Sequence, residues 1–164
     1  MRLGDLLHAE VIKVGLKANT KEEAIEELVD VLIEAHEIPL SWREHAIEVV
    51  LEREQEVSTG MEYGVALPHG LSDRVDDIIA ALGICHEGIP FNSIDGIAAR
   101  IIILLLYPRR SFQSNVETMA GIAHLLRNAR LREALKAAKT PIDVLRAIKE
   151  EEAKETFKDS GAKA

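Results

Sequence analysis

Hydrophobic positions repeat along this chain with two different periods. From Lys21 to Glu37, Ala24, Ile25, Leu28, Val29, Leu32 and Ile33 recur at three- and four-residue spacing, which predicts an amphipathic helix. Thr20, with Glu23 three residues on, forms a capping-box pattern at its start, and Pro39 closes it. Ser41 is the expected cap of a second helix, with Glu44 three residues on, running through Ala46, Ile47, Val50 and Leu51 to about Glu54. The period then changes. Ile78 to Cys85 is almost wholly apolar, Gly88 to Phe91 is short, and Ala99 to Tyr107 is the most β-like run in the sequence. Continuous apolar runs of this length predict strands covered on both faces, and so a sheet between helices. Helical spacing returns from about Ser114 to Arg127 and from Leu131 to Ala138. A last helix is expected from Pro141, at the first helical position after Thr140, to roughly Glu150. Residues 151–164 are charged or small and are expected to form a frayed or disordered tail. The order is strand, two helices, several strands, then three helices, and the chain shows no internal repeat: a single α/β layer structure.

At 164 residues and 47% apolar, the chain has enough material for one domain with a real core. Its charge of −8 argues against a nucleic-acid partner, because phosphate backbones are held by lysine and arginine. The nearest thing to a basic patch, Arg109-Arg110, is two charges. Ile101 to Leu106 is far too short to span a bilayer, so no direct membrane insertion is expected, and the first residues lack the apolar core of a signal peptide. The lone Cys85 cannot form an internal disulfide. These features predict a soluble cytoplasmic domain.

The chemistry concentrates between Arg53 and Gly70. A cation, two hydroxyls (Ser58, Thr59), three glycines (Gly60, Gly64, Gly70) and His69 fall within eighteen residues there. Its glycines suit tight turns, and the stretch from Val57 to Gly70 reads as a loop. Each component has a use in phosphoryl transfer. A neutral imidazole is a competent nucleophile near neutral pH. The transferred group needs donors for its equatorial oxygens, and an arginine fork, hydroxyls and backbone N–H groups at glycines can supply them. Pro68 would fix the backbone just before His69.

The segment Arg53-Glu54…Ser58-Thr59-Gly60…Gly64-Val65-Ala66-Leu67-Pro68-His69-Gly70 resembles the active-site signature of mannitol/fructose-type IIA proteins of the phosphotransferase system, including the nitrogen-regulatory branch. The opening Leu3-Gly4-Asp5-Leu6-Leu7, the helix start Lys21-Glu22-Glu23-Ala24 and the Ile101–Pro108 strand follow in family order, so the resemblance covers about residues 1–149. It implies a family domain over residues 1–150, a sandwich with a mixed central sheet of about five strands flanked by helices. It implies that His69 accepts a phosphoryl group from an HPr-like phosphocarrier protein. The group would then pass to a cysteine of a IIB component or act as a signal to a regulatory target protein. Arg53 matches the family's active-site arginine and Thr59 its hydroxyl neighbour. No metal or other cofactor is implied, because the phosphoryl group arrives on a high-energy protein donor.

Two positions depart from the family pattern. Asn115 falls where a second histidine commonly helps bind the phosphoryl group. It keeps a hydrogen-bond donor but no charge, a loss of about 1–2 kcal/mol or roughly ten-fold in rate. Glu62 replaces a usual glycine and would oppose phosphorylation if it pointed inward. These changes fit a slow or signalling carrier. They also leave open an alternative, a degenerate IIA-like interaction or sensor module that binds regulatory partners without being phosphorylated. Elsewhere, Cys85 reads as a buried thiol, Glu44, His45 and Glu48 as a solvated helix face, His8 and His36 as surface residues, and Trp42 as packing against the first helix.

Overall fold

The computed structural model describes residues 2–162. In chain order the elements are α1 (Leu3–Leu6), β1 (Ile12–Val14), α2 (Lys21–Glu34), α3 (Arg43–Glu56), β2 (Val65–Ala66), β3 (His69–Leu71), β4 (Ile79–Ile89), β5 (Ala99–Tyr107), α4 (Phe112–Leu125), α5 (Ala129–Ala137) and α6 (Pro141–Ala162). The strands form one mixed five-stranded sheet, as expected. The path runs β1–β4–β5–β2, and β3 also pairs with β5. β4 and β5 are antiparallel, whereas β1 on β4, and β2 and β3 on β5, are parallel. The middle of the sheet is dry: Leu82, Ile84 and every residue from Ile101 to Leu106 are buried, with α2 residues Ile25, Leu28 and Leu32 packed into the same core. This is why the β4 and β5 runs are continuously apolar rather than alternating.

Several boundaries differ from the sequence reading. The helix expected to reach Glu37 stops at Glu34, because His36 turns into the left-handed region (φ 61°). Thr20 caps it as predicted, accepting from the Glu23 N–H at 3.2 Å, while the Glu23 carboxylate reaches back to the Asn19 N–H. Ser41 is not a cap. Leu40–Trp42 forms a short 3-10 turn, and α3 begins at Arg43 with no side-chain cap bond. The two apolar segments either side of His86-Glu87 are one strand, β4, with a register shift between Ile84 and Ile89. Gly88, at φ 85°, supplies the left-handed residue that such an irregularity uses.

The expected disordered tail is also corrected. α6 runs past Glu150 to Ala162, and Glu152 is buried where its carboxylate accepts the Gly4 N–H at 3.0 Å. Burial raises the pKa of that carboxyl. Charged residues there pack one face of a helix against α1; Lys163 and Ala164 lie outside the described residues. No described helix is long and apolar enough to cross a membrane.

Candidate active site

His69 is not in a loop. It opens β3, in parallel register with Leu105 of the central strand. The Pro68 carbonyl accepts the Leu105 N–H at 3.0 Å, so the backbone on the N-terminal side of the histidine is tied to β5 as well. Gly70 follows because no side chain fits: an added Cβ would lie 2.9–3.1 Å from Val49, including its backbone carbonyl. α3 therefore sits directly on β3, and Val49 and Arg53 line one cleft with His69.

The imidazole is 8% exposed. Its Nδ1 lies 2.8 Å from the Leu67 carbonyl oxygen. A carbonyl can only accept, so Nδ1 carries the proton and the lone pair of the neutral ring is on Nε2. Tyr107 stacks against the ring, with centroids 5.8 Å apart and planes 21° apart. Burial is the main influence on the ring's basicity and lowers it below the ordinary histidine value. The Leu67 carbonyl opposes that shift, the Arg53 charge adds to it, and Glu54 opposes it. Near neutral pH the ring is thus uncharged, with its orientation fixed and the Nε2 lone pair available.

The cleft holding His69 has a volume of about 350 Å³ and is lined by residues of α3, β3 and the end of β5. Of the predicted site residues it gathers His69, Arg53 and Gly70. Arg53 donates one guanidinium bond to the Val57 carbonyl at 2.8 Å, which anchors the side chain at the end of its own helix.

Four predicted phosphoryl ligands, Ser58, Thr59, Gly60 and Asn115, do not line this cleft. The Ser58 hydroxyl donates to the Phe91 carbonyl and accepts from the Gly60 N–H at 3.0 Å, which commits it to the loop. Thr59 donates both its N–H and its hydroxyl to the Glu54 carboxylate, which is 3% exposed and is also 3.6 Å from Lys21 Nζ. Thr59 therefore holds the residue next to Arg53 and leaves no hydroxyl proton for an incoming anion. Gly60 is required for a close approach: an added Cβ would lie 2.6 Å from Ser93 Oγ and 2.9 Å from the Phe91 carbonyl. Asn115 is buried, and its Nδ2 donates to the Pro108 carbonyl at 2.8 Å, with Oδ1 unpaired among the described residues. It borders a different cleft, with Asp77, Glu117 and Thr118, and does not line the one with His69. Glu62 is exposed on a third, larger cleft of about 400 Å³ beside Tyr63 and His124, so its charge is not in the His69 cleft.

Among the remaining candidates, Cys85 is buried and Trp42 packs on the core, as expected, whereas His45, expected on a solvated helix face, is half-buried with Nε2 2.8 Å from Ser72 Oγ. Sequence reasoning missed Tyr107, Arg109, Glu52 and Glu56, all on the cleft wall. One signal was available for Tyr107: it is the polar-tipped aromatic residue that follows the aliphatic run Ile101–Leu106.

Comparison with known proteins identifies the family and agrees with the fold. Residues 5–151 match the family described as phosphoenolpyruvate-dependent sugar phosphotransferase system, EIIA 2. The chain is 32% identical over 139 residues to a nitrogen regulatory protein of Bradyrhizobium diazoefficiens, covering 85% of this chain and 89% of that one. Its fold is similar to that of the nitrogen regulatory protein IIA-Ntr of Neisseria meningitidis, with a TM-score of 0.81 at 24% identity over 89% of this chain and 98% of the other. It is also similar to enzyme IIA of the Escherichia coli mannitol system, solved in complex with phosphorylated enzyme IIB, with a TM-score of 0.72 at 24% identity over 87% and 96% of the two chains. A buried, oriented imidazole beside an arginine, on a fold and sequence matched along nearly the whole chain, leads to one assignment: the protein belongs to the EIIA type 2 family of the phosphotransferase system.

Proposed function

We propose that this protein carries a phosphoryl group on Nε2 of His69. It would receive the group from an HPr-like phosphocarrier in the cytoplasm. It would then pass the group to a cysteine of a IIB component, or hold it as a signal to a regulatory target. The observation that carries the reading is the Nδ1–Leu67 carbonyl bond, which leaves the Nε2 lone pair as the ring's only nucleophile. In the transfer, that lone pair forms a new N–P bond as the donor's bond to phosphorus breaks, and the bonding electrons return to the donor. The His69 ring acquires positive charge, which the Nδ1–H bond to the Leu67 carbonyl supports. Arg53 supplies a fixed cation for the phosphoryl oxygens.

A regulatory role is the preferred branch, on the 32% identity to a nitrogen regulatory protein over 85% of this chain. The alternative of an unphosphorylated interaction module loses one of its two supports, because Glu62 stands outside the His69 cleft. Its other support, the uncharged Asn115, remains.

The test is incubation with enzyme I, HPr and phosphoenolpyruvate, followed by intact mass. One added phosphoryl group is expected on the wild type and none on His69→Ala. An unmodified wild type with active donors would contradict the reading.

A further inference from the structure

The cleft around His69 has two cations, not one. Arg53 enters from α3, and Arg109 enters from the turn that follows β5. Two carboxylates, Glu52 and Glu56, line the same cleft and offset both guanidiniums. A phosphoryl dianion arriving there is poorly matched by Arg53 alone. Asn115, the position where a second cationic group was expected, points its amide at the Pro108 carbonyl instead.

That same bond fixes the start of the turn carrying Arg109. Pro108 is buried and restrained in φ, its carbonyl is held by Asn115, and the preceding Tyr107 is stacked on His69. The Tyr107 carbonyl in turn accepts the Ser72 N–H at 3.0 Å, which brings the chain after β3 alongside. Arg109 consequently leaves the sheet two residues beyond the aromatic neighbour of His69. Asp73 leaves it two residues beyond Leu71, and the two side chains pair, with Nε 3.0 Å from Oδ1. Both are largely exposed, at 64% and 75%, so the pair is weak and readily exchanged. Arginine forks bind phosphate oxygens in a charge-assisted, two-pronged geometry that a monodentate surface carboxylate does not match.

We propose that Arg109 is the second cation of the phosphoryl site. It rests on Asp73 when His69 is free and transfers to the phosphoryl oxygens when His69 is modified. The inference rests on the assignment of His69 as the carrier. Phosphorylation would then release Asp73 to the surface beside the site, giving a partner a changed charge pattern in addition to the phosphoryl group itself.

The experiment uses the full-length wild type, Arg109→Gln, Arg109→Lys and Asp73→Asn, phosphorylated with enzyme I, HPr and phosphoenolpyruvate. The rate of incorporation and the 31P resonance of the phosphorylated protein across a pH titration are measured. Arg109→Gln should slow incorporation about ten-fold or more and move the phosphoryl ionisation upward, because a neighbouring cation has been removed. Arg109→Lys should restore part of both, and Asp73→Asn should speed incorporation. Slowed incorporation with an unchanged 31P titration would assign Arg109 to docking of the donor and overturn the proposal. Wild-type behaviour of Arg109→Gln in both readouts would also overturn it, while leaving His69 as the carrier. Failure of the wild type itself to be labelled would instead remove the assignment on which the proposal rests.

Discussion

At the scale of single residues, the account depends on a histidine that is buried, yet aimed by one backbone carbonyl. Burial holds the ring below its ordinary pKa, and this has a consequence for stability. As pH falls through about 6.5, the unfolded chain takes up the proton first while the folded ring stays neutral. Stability contributed by the neutral ring is therefore full above that value and is lost on the acid side of it, down to the lower folded pKa. His69→Gln should lack this slope, which urea melts at a series of pH values would show as a shrinking gap between the variants. Identical pH dependence would mean that the ring is not desolvated. Thr59 offers a second residue-scale test. Because its hydroxyl is spent on the buried Glu54 carboxylate, Thr59→Val should cost about 1–3 kcal/mol in stability, and Thr59→Ser should recover most of it. If Thr59→Val instead keeps its stability but loses transfer, the hydroxyl belongs to the phosphoryl site after all.

At the scale of elements, the site is made by α3 lying against β3. Gly70 permits that contact, and Gly70→Ala would push on the backbone of Val49 rather than on a flexible side-chain end. A loss of about 1–3 kcal/mol and slower phosphoryl transfer are expected, because α3 carries Arg53. A melt together with a transfer assay checks both; unchanged transfer would show that the α3–β3 spacing does not set the rate. The far end of the chain gives another element-scale prediction. Deleting residues 151–164 removes the Glu152 carboxylate from the buried Gly4 N–H, and should lower the melting temperature by several degrees. An unaffected melting temperature would restore the tail to the status that its composition suggested.

Element types were mostly legible in the sequence because their signals are local. The apolar runs gave β4 and β5, and helical spacing gave α2 and α4. β2 and β3 were not legible, since strands of two and three residues have no period of their own. They exist because β5 presents an edge for them to pair with. The same reason explains the site. His69 and Arg53 were readable as residue types near each other, whereas Tyr107 and Arg109 come from nearly forty residues downstream and reach the cleft only through the β3–β5 pairing. The hydrogen bonds of Ser58 and Thr59 were not legible, because composition shows that a hydroxyl is present but not whether a neighbour such as Glu54 has already taken it.

At the scale of the molecule, one mixed sheet holds His69, its aromatic neighbour and the turn bearing Arg109 on adjacent strands, and one helix adds the other arginine. The overall charge of −8 makes a dianion unwelcome on most of the surface, and in the proposed site Arg53 and Arg109 are what offset Glu52 and Glu56 in the His69 cleft. The proposed function turns on one ring nitrogen, and that nitrogen can be observed directly. With histidine rings labelled with 15N and the protein phosphorylated by enzyme I, HPr and phosphoenolpyruvate, the 15N–31P coupling identifies the atom that carries phosphorus. The account predicts coupling to Nε2 of His69, with Nδ1 still protonated on the Leu67 carbonyl. Coupling to Nδ1 of His69, or to any other histidine, would contradict it.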